Sequence, residues 1–203
     1  MMKLLLISLF SCLFMCTQAQ DKLDIIKSLQ ELKNKSHIDG EDSTMLKLYH
    51  ELYFNSLQKD VFSLDPELLN RIQSLIKGPR TKNVHLLVSL LKYQDAIRLR
   101  EEGKIKFDQE MQLAMINFMD QEFLEIYNQT PALVYIYKTE TLEMNGQSPE
   151  LLENIEQGLK AFPDCIPLKL YLYNNYKNEA LKKELLQNHA SHWLVKLKLS
   201  QAK

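Results

Sequence analysis

The sequence predicts an all-α protein, with antiparallel helix pairs stacked as a short solenoid or packed as an irregular helical bundle. Three observations carry that prediction. Apolar residues recur every three or four positions along most of the chain, the period of one helix face. Only five Gly and six Pro occur among 203 residues, too few for the tight turns of an all-β chain. Two segments open with the same helix-starting chemistry, Asp65-Pro66-Glu67 and Ser148-Pro149-Glu150. Hydrophobic residues make up 45% of the chain, enough for a substantial core, and the formal net charge of −1 gives no overall attraction to nucleic acid.

The first residues have the layout of a secretory signal. Lys3 supplies a basic start, Leu4 to Met15 is an apolar run, and Thr17 and Ala19 place small residues three and one positions before a cut. The run is too short to cross a bilayer, which takes about 20 residues. Residues 1–19 are therefore expected to be a cleaved signal peptide. Residues 20–203 would then be a single α-helical domain outside the cytoplasm, in the periplasm or cell envelope or in the medium. The alternative is a lipoprotein box, Leu9-Phe10-Ser11-Cys12, with Cys12 lipidated as a tether. Phe10 fits that box poorly, and Leu13-Phe14-Met15 stay apolar where a tether turns polar. No span is expected after cleavage, because the other apolar stretches carry Lys, Asp or Glu. The mature chain keeps one cysteine, Cys165, which cannot form an internal disulfide. Its place before a helix suggests a half-buried small hydrophobe rather than a nucleophile.

Along the mature chain, Leu23, Ile26, Leu29 and Leu32 form the first apolar stripe. His37 to Asp42, with Gly40, is a loop. Met45, Tyr49, Leu52, Tyr53 and Leu57 mark a second helix. In the third, Asp65 caps, Pro66 suits the first helical position, Glu67 faces the positive dipole end, and Gly78-Pro79 stops it. Val84 to Leu99 and Met111 to Tyr127 are apolar on most sides, which predicts interior helices separated at Gly103. Pro131 opens a helix to about Met144, and Asn145-Gly146 turns the chain. Ser148-Pro149-Glu150 opens a helix ending near Phe162-Pro163. Two more helical stretches follow, from about Cys165 to Tyr176 and from Glu179 through Leu199. Val195 to Leu199 alternates with a strand period but is kept as a frayed helix.

The two Pro-started helices echo each other at an offset of 83 residues. Pro66-Glu67-Leu68-Leu69 matches Pro149-Glu150-Leu151-Leu152, Ile72 matches Ile155, and Lys77 matches Lys160. Recurring helix pairs are what a solenoid needs, since each buries its apolar face only against its neighbours. Gly158, Leu159 and Pro163 form a series of small residue, apolar residue and closing Pro. Leu151 and Ile155 fill earlier inward positions, and Leu172 and Tyr176 follow in the next helix. In these residues the stretch 132–176 resembles the tetratricopeptide repeat family. Lys169 departs from the large aromatic that the family prefers, and Tyr173 from its small residue. The resemblance implies paired antiparallel helices and protein or peptide binding, and it carries over no specific binding residue. The expected working surface is a concave face lined by the first helix of each pair, including Tyr135 or Tyr137 and Tyr171 or Tyr173.

No catalytic residue, cofactor site or metal site is assigned. His189 and His192 are three apart, so on a helix they share a face, but no third ligand accompanies them. They suit polar positions on an exposed final helix. His50-Glu51 begins like a zinc-protease helix, but Phe54 stands where the second His would be. The chain has no Gly-rich phosphate loop and no Gly-x-Ser-x-Gly elbow. Glu122 and Glu125 are expected on a solvated helix face. Charge is uneven, with twelve acids and four bases from Glu101 to Pro163, and six Lys and two Glu from Tyr176 to Lys203. The basic end suits either a solvated terminal helix or a docking tail. The expected function is an exported helical-repeat protein that binds or scaffolds a protein or peptide partner. The alternatives are a hydrolase-like helical enzyme using spatially gathered acids or His, and a lipoprotein accessory tethered through Cys12.

Overall fold

A computed structural model describes residues 22–61, 65–146 and 148–199. The expected signal peptide, with Cys12, lies outside the described residues. Among those residues the chain is all-α, with ten α-helices and no strand. They are α1 (Lys22–Lys35), α2 (Thr44–Tyr53), α3 (Pro66–Lys77), α4 (Val84–Glu101), α5 (Gln109–Tyr127), α6 (Ala132–Glu143), α7 (Pro149–Ala161), α8 (Ile166–Tyr176), α9 (Glu179–Asn188) and α10 (Trp193–Leu199). A π-helical turn, Phe54–Gln58, extends α2. Among the described residues no helix is long and apolar enough to cross a membrane.

The helix starts follow from their capping residues. Asp65 Oδ1 accepts the Glu67 N–H at 2.9 Å, and Ser148 Oγ accepts the Leu151 N–H at 3.1 Å. Asp108 and Asn178 do the same for Met111 and Leu181, each at 3.1 Å. Each cap pairs a backbone donor that the helix itself leaves without a partner. Gly78 follows α3, and Gly103 and Gly146 take positive φ angles of 68° and 82° in the turns after α4 and α6.

The chain divides into two compact units. The first holds the described residues up to Met45 together with Ser74–Gln129. In it α1, α4 and α5 pack on one another. Leu29, Leu86, Leu87, Tyr93, Ile97, Ile116, Met119 and Phe123 fill the core. Asn83 closes the unit. It is fully buried, with a left-handed backbone at φ 53°. Its Oδ1 accepts the Asp39 N–H at 2.9 Å, and its Nδ2 donates to Asp39 O at 2.7 Å and to the Tyr127 hydroxyl at 2.8 Å. The Tyr127 hydroxyl then donates to Asp42 O at 2.9 Å. The 37–42 loop is thereby tied to the start of α4 and the end of α5.

The second unit holds the described residues of Leu46–Gln73 and those from Thr130 onwards. The helical stretch expected from Glu179 through Leu199 is two helices, broken at His189 to His192. The expectation of an exposed His pair on one helix face is corrected with it. His192 is fully buried, its Nε2 lies 3.1 Å from Gln58 O, and its Nδ1 accepts the Leu194 N–H at 3.2 Å. These two contacts select the neutral Nε2–H form. The Trp193 N–H donates to Asp60 O at 3.0 Å, so α10 starts on the segment after the π-helical turn. Val195 and Leu199 point inward from a helix rather than alternating as a strand.

Two outcomes are expected. Asn83→Gly keeps the backbone but loses the amide bonds, costing the first unit about 1–3 kcal/mol; Asn83→Ala loses the same bonds while keeping a Cβ in the left-handed region, and costs about 1 kcal/mol more than the Gly variant. Urea unfolding of the two variants checks that order. For His192, burial lowers the pKa from 6.5, against the smaller opposing pull of the Gln58 carbonyl and Asp60. The unfolded chain therefore binds this proton more tightly than the folded one. The contribution is complete above pH 6.5 and is lost as the pH falls below it. The urea midpoint of the parent should drop on acidification through this range, and His192→Gln should flatten that slope.

Candidate functional site

The residues singled out for binding lie on α6 and α8, with α7 packed against both. α7 approaches closely because Gly158 faces them. A Cβ built there would fall 3.1 Å from both Cβ and Cγ of Tyr135 on α6, and 2.6 Å from Cδ1 of Leu168 on α8. Asn154, one turn earlier on α7, is buried and donates to Tyr135 O at 3.0 Å and to Thr139 Oγ1 at 2.9 Å. At the end of α7, Phe162 meets the Tyr135 ring edge-on, with centroids 6.4 Å apart. Gly158 and Leu151 both face inward on α7, along with Ile155.

Directly between α6 and α8 runs a polar seam. The Tyr171 hydroxyl donates to Glu140 Oε1 at 3.0 Å, and Asn175 Nδ2 donates to Glu143 Oε1 at 2.7 Å. The Tyr176 hydroxyl reaches Ser148 O at 3.1 Å, at the start of α7. On the α9 side, Lys169 buries its stem and its Nζ contacts Glu184 Oε1 at 2.6 Å. Its alkyl chain packs while its charge reaches a carboxylate.

The four tyrosines are placed differently. Tyr137 is buried in the core. Tyr135 is half-buried and turned toward α7. Tyr171 is half-buried at the seam. Tyr173 is half-buried between two ammonium groups, with Lys177 Nζ 5.5 Å and Lys182 Nζ 5.4 Å from its ring centroid. Contact with the Tyr173 hydroxyl, and Glu179 nearby, hold the Lys182 pKa above its ordinary value. The seam offers carboxylates, an amide and a phenol that can exchange their mutual bonds for those of a polar ligand.

Cys165 and the His85–Glu122 pair are closed. Cys165 is fully buried rather than half-buried, and burial pushes its thiol pKa up to about 11, away from nucleophilic use. Glu122 is not on a solvated face. It is 2% exposed, with Oε1 2.5 Å from Lys33 Nζ and Oε2 3.1 Å from His85 Nε2, and His85 itself is fully buried. Only Glu125 keeps the expected exposure, and it pairs with Lys33 at 2.8 Å. Sequence reasoning missed His85 because an apolar run surrounds it. The signal was available in principle, since a lone His inside such a run needs a buried polar partner. A His and a Glu do converge here, yet neither presents an open face to a substrate. Among the described residues no group of three or more His, Cys, Asp or Glu is placed to hold a metal ion.

No protein-family model, curated protein or solved structure matches the chain.

Replacing Gly158 by Leu forces α7 away from α6 and α8. The expected loss in the second unit is about 1–3 kcal/mol, the usual cost of overpacking a core. Urea unfolding followed by circular dichroism measures it.

Proposed function

We propose that the chain is an exported helical-repeat protein that binds or scaffolds a protein or peptide partner, with α6, α7 and α8 as its tetratricopeptide-like module. One observation carries the reading. Three consecutive helices pack on one another, with Gly158 at the close approach of α7 to both neighbours. A small residue there lets helix pairs stack at short distance, as a repeat array requires. The polar seam of Glu140, Glu143, Tyr171 and Asn175 supplies the ligand-facing groups. It suits a peptide, whose backbone offers a donor and an acceptor at nearly every residue. Export rests on the Lys3 to Ala19 layout, with residues 20–203 as the working chain. Lipidation at Cys12 is the alternative tether, and an intact mass beginning at Cys12 with added acyl chains distinguishes it from simple cleavage.

Crosslinked co-purification of the tagged mature chain from its native envelope and medium tests the reading. A stoichiometric partner is expected. Tyr171→Ala with Tyr173→Ala should weaken its binding about thirtyfold, as for a paired aromatic hot spot. A partner held undiminished by that variant, or none above background with the parent, overturns the reading.

A further inference from the structure

The end of the second unit where α10 begins carries a surface that the peptide-binding reading does not use. Val61 is 72% exposed and Phe54, in the π-helical turn, is 45% exposed. Lys59 Nζ lies 5.8 Å from the Phe54 ring centroid, and His50 stacks on the same ring at 6.4 Å. The Trp193 N–H donates to Asp60 O, which brings the start of α10 beside Val61. On α10, Trp193, Lys196 and Leu197 share one helix face, while Leu194, Val195 and Leu199 are buried. Lys196 and Lys198 are exposed, and Asp60 is the acid within the cluster.

We propose that this surface seats on an anionic lipid bilayer. Phe54 and Val61 enter the headgroup region beside the half-buried Trp193, and Lys59, Lys196 and Lys198 meet the lipid phosphates. Three observations favour lipid over a protein surface. The cations are lysines, which the centres of protein interfaces avoid, whereas arginine is enriched there. Exposed apolar side chains, Phe54 and Val61, flanked by lysines are the arrangement that settles at a membrane–water boundary. The surrounding stretch from Tyr176 to Lys203 adds to the attraction, with six Lys against two Glu. This inference is independent of the α6–α8 seam, and either can fail alone.

Trp193 is the only tryptophan in the chain, so its fluorescence reports on this surface directly. The full chain is titrated with vesicles rich in phosphatidylglycerol and, separately, with pure phosphatidylcholine. A blue shift of the emission, and quenching by brominated acyl chains, are expected with the anionic vesicles and not with the neutral ones. Lys59→Glu with Lys196→Glu should weaken vesicle binding about tenfold or more. These are replacements of solvent-reaching lysines, and circular dichroism confirms an unchanged fold. Phe54→Ser with Val61→Ser should abolish the shift. An unmoved emission, an equal shift with phosphatidylcholine, or a charge-reversed variant that binds like the parent overturns the proposal.

Discussion

Every helix end leaves backbone groups without an intrahelical partner, and a chain of short helices has many ends. Side-chain amides supplement backbone pairing in both units, in a loop, on a helix and at helix starts. Asn83 pairs with the Asp39 backbone in the first unit, and Asn154 with the Tyr135 carbonyl in the second. Gln58 does most. Its Oε1 accepts from the Tyr53 hydroxyl at 2.6 Å and from the Ile166 N–H at 3.1 Å, while its Nε2 donates to Asp164 O at 2.6 Å. Its own carbonyl accepts from His192. One residue therefore joins the π-helical turn to the starts of α8 and α10. An amide suits such a place because it offers donors and acceptors together and carries no charge to desolvate.

Charge is buried where it is matched. Glu122 has Lys33 on one oxygen and His85 on the other, which joins α1, α4 and α5 inside the first unit. In the second unit Glu143, Tyr171 and Asn175 are half-buried between α6 and α8, beside the buried Glu140. Buried pairs of this kind specify which helices meet more than they add net stability. The half-buried Tyr171 and Asn175, bonded to Glu140 and Glu143, are groups a ligand can recruit. That contrast directs the functional reading to Tyr171 and Asn175 rather than to His85 or Cys165.

Much of the fold was legible because helix signals are local. The Asp65 and Ser148 caps, the stops at Gly78 and Gly103, and the interior character of α4 and α5 follow from spacing and capping chemistry alone. The errors share a cause: they concern polar residues whose partners are distant in sequence. His192 reads as exposed until Gln58 is placed beside it, 134 positions away. Glu122 reads as solvated until Lys33 and His85 arrive from two other helices. The break at His189 to His192 was hidden for the same reason, since apolar residues continue on both sides. Of the candidate site, the helices bearing the tyrosines were legible but the orientation of each ring was not. One-residue steps on a helix change the face, and only packing fixes which way Tyr135 and Tyr137 turn.

The π-helical turn has a consequence for how this chain can change over time. Its Lys59 N–H bonds to Phe54 O, five residues back, so the turn holds one residue more than an α-helical turn would. Losing a residue there would let α2 run on as an ordinary helix, a local relief. It would also swing everything after it by about 100° around the helix axis. Gln58 would then face away from Tyr53, Asp164 and His192 together. A deletion in this segment would therefore disturb more contacts than a replacement of any one side chain on its outer face. The length of Phe54 to Gln58 sets the direction in which Gln58 faces.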